Sequence, residues 1–269
     1  MSLLTAIELL TAIELLEARY TQATAQKQKR ALEKQLNPSM VAGFNAQKDT
    51  FLKQFKTLES DFSEAISDWL NIWLSVASDT EALFVEPLNT AMETALYRGG
   101  LFQVGALNVG VDFKLTNKRA VAYLDNLAAK QVTGINETTR GYINTIITGG
   151  VESGQSYTDI AKAIGRRFDE FTGKVRAASH IRSRAELVTI TEIGNAFSEG
   201  NRIVAKDLED EGIEMTKRWL TRGDDRVSQG CLENQNAGWI GLDELYPSGD
   251  QRPLRFPGCR CDELYQRKK

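Results

Sequence analysis

The stretch "FPGCRCD" at 256–262 places Cys259 and Cys261 two residues apart, and Cys231 lies upstream in "DDRVSQGC". These three are all the cysteines of the chain. Residues i and i+2 of an extended segment point to one face, so both later thiols can face Cys231 across a hairpin. Converging thiols suggest zinc, but a structural zinc site is closed by four ligands of the Cys or His type. Ser228 stands three residues before Cys231 and Phe256 three before Cys259. The single histidine, His180, falls within a helical segment and reads as a packing or surface residue. The expectation is therefore that the thiols lie close together, hold no structural zinc and act as small buried hydrophobes. Packing of Trp219, Trp239, Tyr246 and Phe256 would hold this region together, with no cofactor.

Other chemistry is scarce. "GGVESGQS" at 149–156 is glycine-rich but has no lysine in the phosphate-loop position, and "YPSGD" at 246–250 is not a nucleophile elbow. No residue is assigned a catalytic role. A weaker enzymatic reading rests on Glu192 with Asp224 and Asp225. Lys162, Arg166, Arg167, Lys174, Arg176, Arg182 and Arg184 give 162–186 a local positive charge. That stretch is either a solvated helix face or a contact for nucleic acid or an acidic protein. It has no interleaved aromatics for base stacking, and a net charge of −3 argues against bulk attraction to DNA.

The elements that would position these residues are mostly helical up to residue 212. The odd cysteine count argues against a secreted disulfide scaffold. No apolar run reaches membrane-spanning length, and "MSLLTAIELL" lacks the basic start of a signal peptide. Residues 3–14 repeat "LLTAIE" directly. Six residues turn a helix by about 600°, so the copies fall on different faces. Leu3, Leu4, Ile7, Leu10 and Ile13 then spread around the helix, which is either a bundle helix or a segment docking on a partner or another copy. "NPSM" at 37–40 is expected to break this helix. A second helix should cover 41–76 with Trp69 and Trp73 on one face. "SDTEAL" at 78–83 should start a third by a capping box, ending at Gly99 or Gly100. The stretch 108–117 should be a loop or a short extended piece, with helices at 116–131 and 136–148, the latter ending at Gly149-Gly150. Ser156 should cap another helix with Asp159 at its third position.

The last helix should run over 174–211 and stop before Gly212. Its apolar stripe carries Val175, Ala178, Ile181, Ala185, Val188, Ala196 and Ile203, with Glu192 on the same stripe. A buried carboxylate needs a partner, for which Arg226 is the first candidate and Arg184 the second. The acidic stretch 206–214 should fray or form ion pairs. From 213 the pattern alternates, with Ile213, Met215 and Trp219 on one parity. Two further short extended pieces follow. The fold class expected is mainly α: an elongated helical body, 38–212, with an N-terminal association helix, 1–37, and a small C-terminal α+β knob, 213–269.

"WLTRGDDRVSQGC", "NQNAGWIGLDELYPSGD" and "RPLRFPGCRC" together resemble the C-terminal signature of the phage head-morphogenesis family, the Mu F-like minor head proteins. "GLFQVGALN", "INETTRGYINTIITGGVESGQSYTDIAKAI" and "SRAELVTITEIGNAFSEGNR" fit upstream, so the resemblance covers about 80–265. Many relatives carry a cysteine where Ser228 stands and a histidine where Phe256 stands; the family's Thr-Glu word matches Thr191-Glu192. The resemblance implies a non-enzymatic structural protein of a tailed phage head, made in the host cytoplasm and built into the virion. Its partners would be the portal or major capsid protein, in multiple copies and without a membrane. The alternative is an internal virion protein that organises or escorts packaged DNA. Some relatives carry a toxin enzyme after this module; a chain ending at Lys269 is expected to carry none.

Overall fold

The computed structural model describes residues 3–57, 62–125, 127–174 and 183–268, with the side chains of 3–15 and 62–67 outside that description. Helices α1 (Leu3–Thr57), α2 (Phe62–Thr80), α3 (Ala82–Leu107), α4 (Lys118–Leu124), α5 (Leu127–Glu152), α6 (Tyr157–Thr172) and α7 (Arg184–Asp210) come first. Then follow β1 (Met215–Leu220), the short helix α8 (Gln229–Asn236), β2 (Trp239–Gly241) and β3 (Asp262–Arg267). The chain is mainly α with a small C-terminal α+β unit. The sheet is antiparallel in the order β2-β1-β3.

Contacts divide the chain into two units, not at the linear boundaries 37 and 212. One combines Met1–Glu33, Met92–Tyr123 and Ile190–Lys269; the other combines Lys34–Ala91 and Leu124–Thr189. The divisions fall at 33–34, 91–92, 123–124 and 189–190, so sequence order does not mark them.

The helix break at Pro38 does not occur: α1 continues through it. A proline inside a helix costs about 3 kcal/mol. Leu36, Met40 and Phe44, spaced four apart around it, are all buried, and each such burial contributes about 1.5–3 kcal/mol. The second unit is built on aromatics. Phe44 meets Phe84 at 5.2 Å and Phe171 at 5.4 Å, Phe51 meets Trp73 at 6.2 Å, and Phe55 stacks on Tyr157 at 4.7 Å.

Several glycines expected to end helices instead sit inside them. A Cβ on Gly99 would lie 2.1 Å from the Phe197 carbonyl oxygen, and one on Gly200 2.1 Å from that of Leu96. Backbones of α3 and α7 thus touch where only glycine fits, and α3 runs on to Leu107. Gly150 likewise lies against Ile160, where a Cβ would come within 2.6 Å, so α5 continues to Glu152. The expected gap at 132–135 is also helical, since α4 ends at Leu124 and α5 begins at Leu127. The capping box at 78–83 is absent. The Thr80 hydroxyl bonds back to the Val76 carbonyl, and Phe84 and Val85 donate to the Glu81 carbonyl.

Other expectations hold. Residues 109–114 have no regular structure. The Ser156 side chain accepts from the Asp159 amide and Gly173 closes α6 with positive φ. Gly212, at φ 85°, follows α7, and Ile213 donates back to the Leu208 carbonyl in the left-handed helix end. Ion pairs hold the acidic stretch: Arg119 to Asp207 and Asp210, and Lys206 to Glu209 and Asp243.

Candidate functional site

The site grows from β1, the central strand. Met215, Lys217 and Trp219 share its buried parity. Trp219 meets Tyr246 edge-on at 5.0 Å, and both are fully buried. Lys217 Nζ donates to the Gln251 carbonyl at 2.5 Å and lies 4.9 Å from the centre of the Tyr246 ring. Its ammonium is held below the usual lysine range by burial. Beside Trp219 in register, Glu263 accepts from the Tyr246 hydroxyl at 2.9 Å and from the Tyr265 hydroxyl. Burial pushes the Glu263 carboxyl up, and the two phenols oppose that shift. This buried polar network ties strand to loop.

Helix α8 was not legible from local pattern. Ser228 is its N-cap, with the hydroxyl accepting from the Cys231 amide at 3.4 Å. Ser228 thus starts a helix, and Cys231 comes from α8 instead of a hairpin strand. Asn234, one turn on, is fully buried and exchanges hydrogen bonds with Ser248 at 2.8 and 3.0 Å.

Cys259 and Cys261 lie just before β3. Gly258 turns there at φ 81° and donates to the Thr191 hydroxyl on α7 at 3.0 Å. Leu254 covers Gly194 of the same helix, where a Cβ would meet it at 2.9 Å. All three cysteines are buried and free, and their sulfurs lie within 4.8 Å of one another. The expected convergence is therefore present. The Cys261 thiol donates to Cys259, helped by the backbone amides of Cys261 and Arg255, and holds Cys259 down at about 6 despite burial. Cys261, as the donor, is pushed up. Burial raises Cys231.

The first helix closes the module from outside. Arg19 donates to the Thr221 carbonyl at 2.7 Å, and Gln22 to the same carbonyl at 3.1 Å. Gln26 donates to the Asp262 carboxylate at 2.7 Å, and Lys29 pairs with Asp262 in a buried ion pair. Arg260 pairs with Glu33 at 3.4 Å. Residues 19–33 are thus bonded into the C-terminal module, so this part of the expected 1–37 association helix is not set apart from it. Leu16 and Tyr20 are exposed on that helix. Leu3, Leu4, Ile7, Leu10 and Ile13 fall on α1, with side chains outside the described residues.

Glu192 is only 6% exposed, as its stripe required, but neither expected cation reaches it. Arg226 pairs with Asp224 at the surface, at 3.8 Å. Arg184 donates to the Ile135 carbonyl at 2.9 Å and lies over the rings of Phe44, Tyr142 and Phe171. Burial lowers its guanidinium to about 10. Glu192 Oε2 has no hydrogen-bond partner, and burial pushes the carboxyl up to about 7. Asp224 and Asp225 are exposed and are not paired with it. Phe256, expected in the core, is 41% exposed: the turn through Pro257 and Gly258 buries Cys259 and leaves the ring outside.

The basic stretch is not one free face. Lys162 pairs with Asp159, Arg167 with Glu170 at 2.7 Å and across the Tyr142 ring, and Lys174 with Asn45 at 3.0 Å. Arg166 is exposed. Arg176, His180 and Arg182, with Val175, Ala178 and Ile181, lie outside the described residues. No family model, curated protein or solved structure matches the chain.

Proposed function

We propose that this protein is a non-enzymatic structural component of a tailed-phage head. More narrowly, it would be a minor head protein of the Mu F-like kind, acting with the portal or major capsid protein during head assembly. One observation supports this reading above others. The separated words that carry the resemblance meet in one module. "WLTRGDDRVSQGC" runs from the end of β1 through the Ser228 cap into the first turn of α8; "RPLRFPGCRC" forms the loop that brings in Cys259 and Cys261; and Thr191 holds that loop through Gly258. A signature whose parts assemble around one core is a unit of structure. No described helix is long and apolar enough to cross a membrane.

The DNA-escort reading finds little support, because Lys162, Arg167 and Lys174 are already engaged with neighbouring acidic or amide groups. Mass spectrometry of purified virions, with co-purification of the full chain and the portal protein, tests the proposal. Absence of the protein from both virions and procapsids would sink it. A steep fall of DNA affinity with salt would favour the alternative.

A further inference from the structure

The three thiols are surrounded by donors suited to negative sulfur. Cys259 Sγ accepts from two backbone amides, those of Cys261 and Arg255. The Ser228 hydroxyl lies against Cys231. The Trp219 indole N–H lies beside Cys261, yet makes no hydrogen bond although the residue is fully buried. An unpaired buried donor costs about 1–3 kcal/mol. A neutral thiol is a weak acceptor, and a thiolate satisfies the indole far better. Three buried thiolates within 4.8 Å repel one another, and only a bound cation lets them coexist.

The geometry points to a three-thiolate site, Cys231, Cys259 and Cys261, for a single thiophilic d10 metal ion, zinc(II) or copper(I). Thiolate sulfur selects both ions. Among the described residues no fourth Cys, His, Asp or Glu atom joins the sulfurs, so this is not the closed four-ligand zinc site that the sequence argued against. Copper(I) is complete with three sulfurs. Zinc(II) adds one oxygen, from the Ser228 hydroxyl or solvent. Loading replaces the thiol protons, which leave to solvent, by the ion, and no electron is transferred. The Trp219 N–H then gains a charged acceptor in Cys261.

The test uses the full chain, reduced and stripped of metal. It is titrated separately with zinc(II) and copper(I) against chromophoric competitors, and the loaded protein is examined by X-ray absorption. The expected result is one equivalent of ion with three sulfurs in its first shell. A zinc spectrum with an added oxygen, or a copper spectrum with sulfur alone, identifies which ion the site prefers. Loading should also protect all three cysteines of the unaltered protein from alkylation, a readout that needs no variant to fold. Cys261→Ser should abolish stoichiometric binding, and Trp219→Phe should weaken it by about 10-fold. Failure of both ions to bind at one equivalent, fewer than three sulfurs in the shell, or unprotected cysteines would overturn the assignment.

Discussion

Glu192→Gln should make the protein more stable at pH 8 and leave it nearly unchanged at pH 5. Glu192 is buried, its Oε2 has no partner, and burial raises its carboxyl to about 7. In the unfolded chain a glutamate titrates at about 4.3. Below that value the carboxyl is protonated in both states and does not penalise folding. Between the two values the folded state holds the extra proton, so stability falls as pH rises. Above about 7 the charge must be carried inside the fold. The full loss is about 4 kcal/mol, from about 1.4 kcal/mol for each pH unit between the two values. Glutamine matches the shape and cannot ionise, so it should recover about 2–3 kcal/mol at pH 8, the remainder offset by an unpaired amide. Urea denaturation of both proteins at pH 5 and pH 8 measures this. A substitution that destabilises at pH 8, or shifts stability equally at both pH values, would show that Glu192 is paired or hydrated.

Deleting residues 1–36 should unfold the C-terminal module, because Arg19, Gln22, Gln26 and Lys29 cap its strand ends; Trp219 fluorescence that stays native-like would refute this. Asp262→Asn leaves the Lys29 ammonium buried without its charge partner and should cost about 3–5 kcal/mol, read by urea midpoint. Gly99→Ala should destabilise by about 3 kcal/mol or more, since its methyl meets the Phe197 carbonyl. Gly149→Ala meets nothing within 4 Å and should stabilise by up to about 1 kcal/mol; thermal melts compare the two. Phe256→Ser should change the melting temperature little, because the ring is largely outside the core.

Periodicity and local chemistry alone revealed the helical class, the small C-terminal α+β unit, the Ser156 cap, the Gly212 stop and the alternation of β1. Each depends on residues within one or two turns, or on which face is apolar, and both are written in the local sequence. Burial of Glu192 was legible in the same way, from its place on a stripe. The convergence of Cys231 with Cys259 and Cys261 was also legible, but its route was not: the i, i+2 spacing pairs Cys259 with Cys261, whereas Cys231 arrives on α8 and not on an extended strand. Tertiary structure decided whatever depended on the neighbour across the contact. Glycine pairs at 99–100 and 149–150 look like helix ends, yet Gly99 and Gly150 are points of close approach, because a missing Cβ serves a cap and a tight crossing equally. Pro38 stays in α1 because flanking burial outweighs a lost hydrogen bond. Glu192 lacks its expected cation, and Arg184 takes a carbonyl and three rings instead. The docking of residues 19–33 on strands some 200 positions away has no local trace. Side chains such as Arg19, Gln22 and Lys29 read as solvated until the strand ends they satisfy are in place.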